Sequence, residues 1–164
     1  MLENVKNLVG HDNGNTFQVI LEKLEKWKQS KRRKPLLLRG ARQVGKTWVL
    51  KEFGNTFADG FVHIDFDKQV EYRQFFEQTK DVKRILDNLA LAIGKKITPK
   101  TLIIFDEIQA CESALNSLKY FYEDAPQYSV VGAGSLLGLK LASGFPVGKV
   151  EFLDMSCRQK KKKF

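Results

Sequence analysis

The stretch "GARQVGKT", from Gly40 to Thr47, sets two glycines, a lysine and a threonine in the spacing G-x-x-x-x-G-K-T. Each residue type has a task at its place. Gly40 and Gly45 let the backbone bend and approach an anion with no Cβ in the way. With Ala41 and Arg42 completing the bend, the amides of Gln43, Val44, Gly45, Lys46 and Thr47 can then point at phosphate oxygens. A helix that starts here adds the partial positive charge of its N-terminus. The Lys46 ammonium is placed to reach the β- and γ-phosphates, and the Thr47 hydroxyl to ligate Mg²⁺. A simple strand-to-helix turn explains the glycines but not Lys46 and Thr47 together. Trp48 comes next and has two readings, flanking a nucleotide or ordinary packing.

A second acidic feature gives the loop a counterpart. Asp106 ends the apolar run Leu102 to Phe105, sixty positions after Lys46, and Glu107 follows it. An aspartate at a strand end can hold the magnesium, directly or through water. An adjacent glutamate can polarise an attacking water as general base. Carboxylates also cap strand ends and helix starts, which is the structural alternative. Ser135, after "GAG", can sense a γ-phosphate or cap a following helix. There is no N-K-x-D, and Glu-Ile-Gln follows Asp106 where a guanine-nucleotide switch would have D-x-x-G, so the favoured ligand is ATP. No arginine-rich lid for a small-molecule kinase is evident.

These residues need elements to position them. Phe17, Ile20, Leu21, Leu24 and Trp27 follow helical spacing, with Thr16 or Asn15 as the cap. Leu36 to Leu38, "FVHIDF" (61–66), "TLIIFDE" (101–107), "YSVVGAG" (128–134) and "KVEFLDM" (149–155) read as five strands. Between them come helical patterns after Gly45, near Val70–Gln78, over Val82–Ile93 with Gly94 as its stop, and around Leu115 to Tyr122, with "SLLGLKLAS" as a short helix. Strands alternating with helices imply an α/β fold with a mostly parallel sheet covered on both faces. Ligands in such sheets bind beyond the carboxyl ends of the strands, where the loop sits.

Composition narrows the classes. The chain has 164 residues, 43% of them hydrophobic and 29% charged, which fits one globular domain. No segment suits a membrane span or a signal peptide, so a cytoplasmic protein with no membrane contact is expected. Cys111 and Cys157 are far apart and suggest neither disulfide framework nor zinc site, and His11 and His63 read as isolated. The formal net charge is +9, but Arg158 and Lys160 to Lys163 supply five of it, leaving +4. A second basic run, "KQSKRRK" from Lys28 to Lys34, precedes the first strand. Both runs could meet nucleic-acid phosphates; the alternative is a solvated linker and a disordered end.

Beyond single motifs, "KPLLLRGARQVGKTWVLKEFG", "TLIIFDEIQACESALNSLKYFYEDAP", "GAGSLLG" and "GFPVGKVEFLDM" together resemble prokaryotic AAA-type ATPases whose ATP-binding domain usually precedes a C-terminal domain of unknown function. The resemblance covers roughly Phe17 to Met155. It implies a three-layer P-loop NTPase core with a five-stranded sheet of order 5-1-4-3-2, Mg-ATP as ligand, and a protein partner or self-association. It carries roles onto Gly40 to Thr47, Asp106, Glu107 and Ser135. The expected division is an N-terminal segment (1–15), an ATPase core (16–155) and a basic tail (156–164). Members of the group continue past the fifth strand into a lid region. "CRQKKKKF" departs from that pattern and reads as a truncation, and Lys149 stands where relatives can carry arginine. The leading expectation is ATP hydrolysis that drives conformational change. A nucleotide-gated binding module without turnover and a nucleic-acid binder are the alternatives.

Overall fold

The computed structural model describes residues 13–41, 44–135 and 148–155. Helix α1 (Asn13–Gln29) leads to strand β1 (Leu36–Gly40), helix α2 (Lys46–Gly54) and strand β2 (Phe61–Asp65). A 3₁₀ turn (Val70–Arg73), helix α3 (Gln74–Glu77) and helix α4 (Val82–Ile93) precede β3 (Leu102–Asp106). A second 3₁₀ turn (Ile108–Ala110), α5 (Glu112–Asp124), β4 (Ser129–Gly134) and β5 (Glu151–Met155) complete the described chain. The strands lie in the order β2-β3-β4-β1-β5, and every pairing is parallel. This is the expected 5-1-4-3-2 read from the other edge.

The strands are apolar throughout because both faces are covered. Successive side chains alternate between faces. Leu36, Leu38, Leu102, Ile104, Val131 and Ala133 pack with Phe17, Ile20, Leu24 and Trp27 of α1 and Val49, Leu50 and Phe53 of α2. Leu37, Val62, Ile64, Ile103, Phe105 and Val130 face the other way, onto α3, α4 and α5. The result is a three-layer α/β sandwich.

Helix α4 ends where local chemistry stops it. Asp81 accepts from the amides of Lys83 (2.9 Å) and Arg84 (3.4 Å), and Gly94, at φ 72°, closes the far end. Two local expectations fail. Thr16 and Asn15 lie inside α1, whose described residues begin at Asn13, so neither is its cap. The segment read as one helix near Val70–Gln78 is a 3₁₀ turn followed by a single α turn, in which only Phe76 is buried. Phe76 anchors the segment in the core, with Tyr72 and Phe75 packed against the same cluster. The Arg73 guanidinium also pins it to the Phe66 carbonyl at 2.6 and 3.0 Å. The expected helix in "SLLGLKLAS" falls mostly outside the described residues, as does the basic tail.

Candidate functional site

The carboxyl ends of β1, β3 and β4 form one edge of the sheet, and the singled-out residues sit along it. Gly40 is the last residue of β1 and pairs in register with Met155 of β5. A Cβ on Gly40 would lie 2.5 Å from the Met155 carbonyl oxygen, so the close approach of β5 demands glycine here. Gly45 has φ 89°, and a Cβ there would stand 2.8 Å from the Phe17 ring. Both backbone angle and space require glycine at this turn into α2. Ala41 is exposed and Val44 is half-buried against the apolar cluster under α1 and α2. Arg42 and Gln43 lie outside the described residues.

Lys46 opens α2 and is 6% exposed. Its ammonium donates to the carbonyls of Gly40 (2.9 Å) and Ala41 (2.7 Å), so the positive charge lies within the loop's own bend. Next to it, the Thr47 hydroxyl donates to Asp106 Oδ2 at 2.5 Å. A helix start and a strand end that are 59 residues apart in sequence therefore meet, and they bring a hydroxyl and a carboxylate together. These are hard oxygen donors of the kind magnesium takes.

Asp106 is 3% exposed and well bonded. Besides Thr47, His63 Nε2 lies 2.9 Å from the same oxygen, and the Glu107 amide donates to Oδ1 at 3.0 Å. An ionised carboxylate only accepts, so Nε2 is the protonated ring nitrogen. Burial pushes the Asp106 carboxyl up. The bonds from His63 and Thr47, with smaller help from the His63 charge and the Glu107 amide, outweigh burial and hold the group below its ordinary value.

His63 is the residue that sequence reading missed. It is not isolated: it belongs to the Asp106 cluster. The signal lay in strand parity. On β2, Val62 and Ile64 face α3–α5, so His63 faces α2; on β3, Ile103 and Phe105 face α3–α5, so Asp106 faces α2 as well. With Asp65 opposite Asp106 in register, His63 sits one pleat back on the same face. The missing piece was that β2 and β3 are neighbours.

Glu107 adopts φ 49° and ψ 44°, the left-handed region, and it alone among the described non-glycine residues has positive φ. Such a backbone stores about 1–3 kcal/mol of strain. Its Oε2 accepts from Gln109 Nε2 at 2.6 Å, and Gln109 Oε1 is buried without a partner. Ser135 directly follows β4, which lies between β1 and β3, so its backbone reaches the same edge. The helix it was expected to cap lies outside the described residues. Trp48 is half-buried and meets Phe17 edge-on, ring centroids 5.2 Å apart, which is the packing reading of that residue.

Comparison with known proteins bears on the family and the fold. Residues 32–157 match the family model described as "AAA domain". Residues 1–28 match the model for C-5 cytosine-specific DNA methylases. A 24-residue stretch is 88% identical to the type II methyltransferase M.Bsp6I of Bacillus sp. (strain RFL6), covering 15% of this chain and 8% of that protein. Among solved structures, the Walker-type ATPase paby2304 of Pyrococcus abyssi aligns with a TM-score of 0.52 at 20% identity, over 85% of this chain and 53% of its own. The Aeropyrum pernix ORC1 protein, solved in complex with DNA, aligns with a TM-score of 0.58 at 14% identity, over 93% of this chain and 46% of its own. At these identities the likeness concerns the fold, and the chain spans about half the length of either structure. No described helix is long and apolar enough to cross a membrane.

Proposed function

Since the chain belongs to the AAA domain family, its family model covering residues 32–157, we propose that it binds ATP with Mg²⁺ at the Gly40–Thr47 loop and hydrolyses it. In this reading Gly40, Ala41 and Arg42 form the bend, the amides of Gln43, Val44, Gly45, Lys46 and Thr47 cradle the phosphates, and the Lys46 ammonium turns from its carbonyls to the β- and γ-phosphates. Thr47 and Asp106 hold the metal, whose charge neutralises the transferring phosphoryl group. Glu107 takes a proton from the attacking water as general base. Ser135 senses the γ-phosphate, and Trp48 keeps its packing against Phe17 beside the loop. His63 fixes the carboxylate of Asp106 and acts as a positioning residue.

The observation that carries the reading is the 2.5 Å contact of Thr47 with Asp106 beside the Lys46 ammonium. Residues 16–155 form the ATPase core of this proposal, with 1–15 as an N-terminal segment and 156–164 as a basic tail. Nucleotide-driven motion would act on a partner protein or through self-association.

Titration with a fluorescent ATP analogue, with and without Mg²⁺, tests binding. Micromolar affinity that needs the metal is expected, and nothing tighter than millimolar would sink the reading. Phosphate release then separates an enzyme from a gated module. Turnover that Glu107→Gln abolishes, with binding retained, identifies the enzyme. Binding with no release by the unaltered chain identifies the module.

A further inference from the structure

The basic run before β1 does not lie loose on the surface; it lines a groove. Lys31, Arg32 and Arg33, with Ser30, form one wall of a cleft of about 400 Å³, and Tyr122, Pro126 and Gln127 form the other. The two walls are far apart in sequence and are joined by Arg33. Its Nη2 donates to the Gln127 carbonyl at 3.1 Å and its Nη1 to the Lys28 carbonyl at 3.3 Å. Both acceptors are neutral and the guanidinium lies 5.9 Å from the Trp27 ring centroid, so no carboxylate cancels its charge, and Arg33 Nε is buried with no hydrogen-bond partner. Two further cations flank Tyr122: Lys34 Nζ lies 5.8 Å from the ring centroid and Lys149 Nζ 5.4 Å.

The charge is one-sided. None of Lys31, Arg32, Arg33 and Lys34 forms an ion pair among the described residues, whereas Lys149 pairs with Glu123 at 3.3 Å. The one other carboxylate bonded here, Glu151, accepts from the Lys34 backbone amide at 3.3 Å. The groove opens where β1, β4 and β5 begin. It is therefore at the opposite edge of the sheet from Lys46, separated by the length of β1, about 16 Å at the usual strand rise.

We propose that this groove binds single-stranded nucleic acid, its cations following the phosphodiester backbone and Tyr122 meeting a base. A cationic cleft with an aromatic wall is how proteins hold single strands without reading sequence. An anionic membrane is less suited, since no large aliphatic side chain lines the cleft to enter a bilayer. The proposal does not depend on ATP binding at the far edge.

The test is fluorescence anisotropy of a labelled oligo-dT with the whole chain over a salt series. The combined Lys31→Glu and Arg32→Glu variant, altered at two exposed residues, is expected to weaken binding at least tenfold. It should also reduce the log–log salt slope by about 1.4, at ~0.7 per phosphate contact on single strands. Tyr122→Ala is expected to lose about fivefold or more, and Tyr122→Phe to keep most of the affinity. The far-UV circular dichroism spectrum and the urea midpoint serve as the folding controls and stay unchanged. Deleting Arg158 to Phe164 separates the groove from the tail: the charge-reversal ratio persists in the shortened chain. The proposal is overturned if charge reversal leaves affinity and slope intact. It is also overturned if the ratio falls to one without the tail, or if phosphatidylserine vesicles or a poly-glutamate peptide bind through these residues as tightly as oligo-dT.

Discussion

At the end of β1 one lysine, Lys46, is 6% exposed and bonded to two carbonyls, whereas at its start Lys31 and Arg32 stand in solvent with no ion pair among the described residues. Both ends of the strand present cations, but by different physics. The loop at the carboxyl end is shaped by glycine constraints and a helix start, and its one ammonium acts in a desolvated bend. Binding proposed there would be geometric and weakly screened by salt. The groove at the amino end gathers several solvated charges on a loosely specified surface, so its attraction falls with salt. On the two proposals together, one sheet would hold phosphate by form at one edge and by charge density at the other.

The largest effect should come from setting these two edges against each other. Lys46→Ala removes the charged donor to two phosphates, and at about 1.5–3 kcal/mol for each charge-assisted bond, ATP binding should fall roughly 100-fold or more. Oligo-dT binding should not change. The groove variant should show the reverse pattern. Measuring both ligands on both variants breaks the comparison if either substitution weakens both, since the two edges would then be one site.

A next prediction sharpens how rigidly the loop is built. Gly45→Ala meets both a left-handed backbone angle of 89° and the Phe17 ring 2.8 Å from the new methyl. A loss of about 2–4 kcal/mol in urea unfolding is expected. Phe17→Ala costs about 3 kcal/mol by itself. Because the two residues collide, the double variant should lose less than the sum by about 1 kcal/mol. Strict additivity would mean that α1 does not rest on the loop. This matters because α1 overlaps the methylase-like match at residues 1–28 while its Phe17, Ile20, Leu24 and Trp27 fill the core beneath α2.

Glu107 offers a smaller but clean contrast between stability and turnover. Glu107→Gly relieves its φ of 49° and should stabilise the fold by about 1 kcal/mol while abolishing phosphate release. Glu107→Gln should abolish release without that gain. Equal stability of the two variants would show that the backbone angle carries no strain.

What could be read from the sequence follows how local the cause is. The strand-to-helix turn at Gly40–Thr47 and the place of Asp106 at the end of β3 were legible because each is defined by its own neighbours: glycines, a following helix, a preceding apolar run. Helix α4 was legible because Gly94 marks the end of one clean stripe, to which the structure adds the Asp81 cap. The turns at Val70–Glu77 were not, because Arg73 fixes them through a carbonyl outside the segment. His63 and the groove were not legible either. His63 needs β2 beside β3 to reach Asp106, and Arg33 needs Gln127, 94 residues away, to become one wall of a cleft. A charge run alone cannot tell such a wall from a solvated linker.

The smallest expected effect concerns the Asp106 cluster and its pH response. Asp106 is held below its ordinary carboxylate value despite burial, which acts in the opposite direction, because His63 and Thr47 bond its ionised form. A group lowered in this way stabilises the fold fully above the ordinary value of ~3.9, and that stability is lost as pH falls through the folded value. His63→Ala removes one bond and leaves Thr47 and the Glu107 amide, so burial is opposed less. The folded value then rises and the acid limb of stability moves to higher pH, while at pH 7 the loss stays near 1 kcal/mol. Urea midpoints taken across the acid range in magnesium-free buffer read this directly. His63→Gln, which keeps a neutral donor, should fall between the two. An unmoved acid limb in His63→Ala would mean that Thr47 and the backbone amide hold Asp106 by themselves, leaving this edge of the sheet more rigid than its bonding to β2 implies.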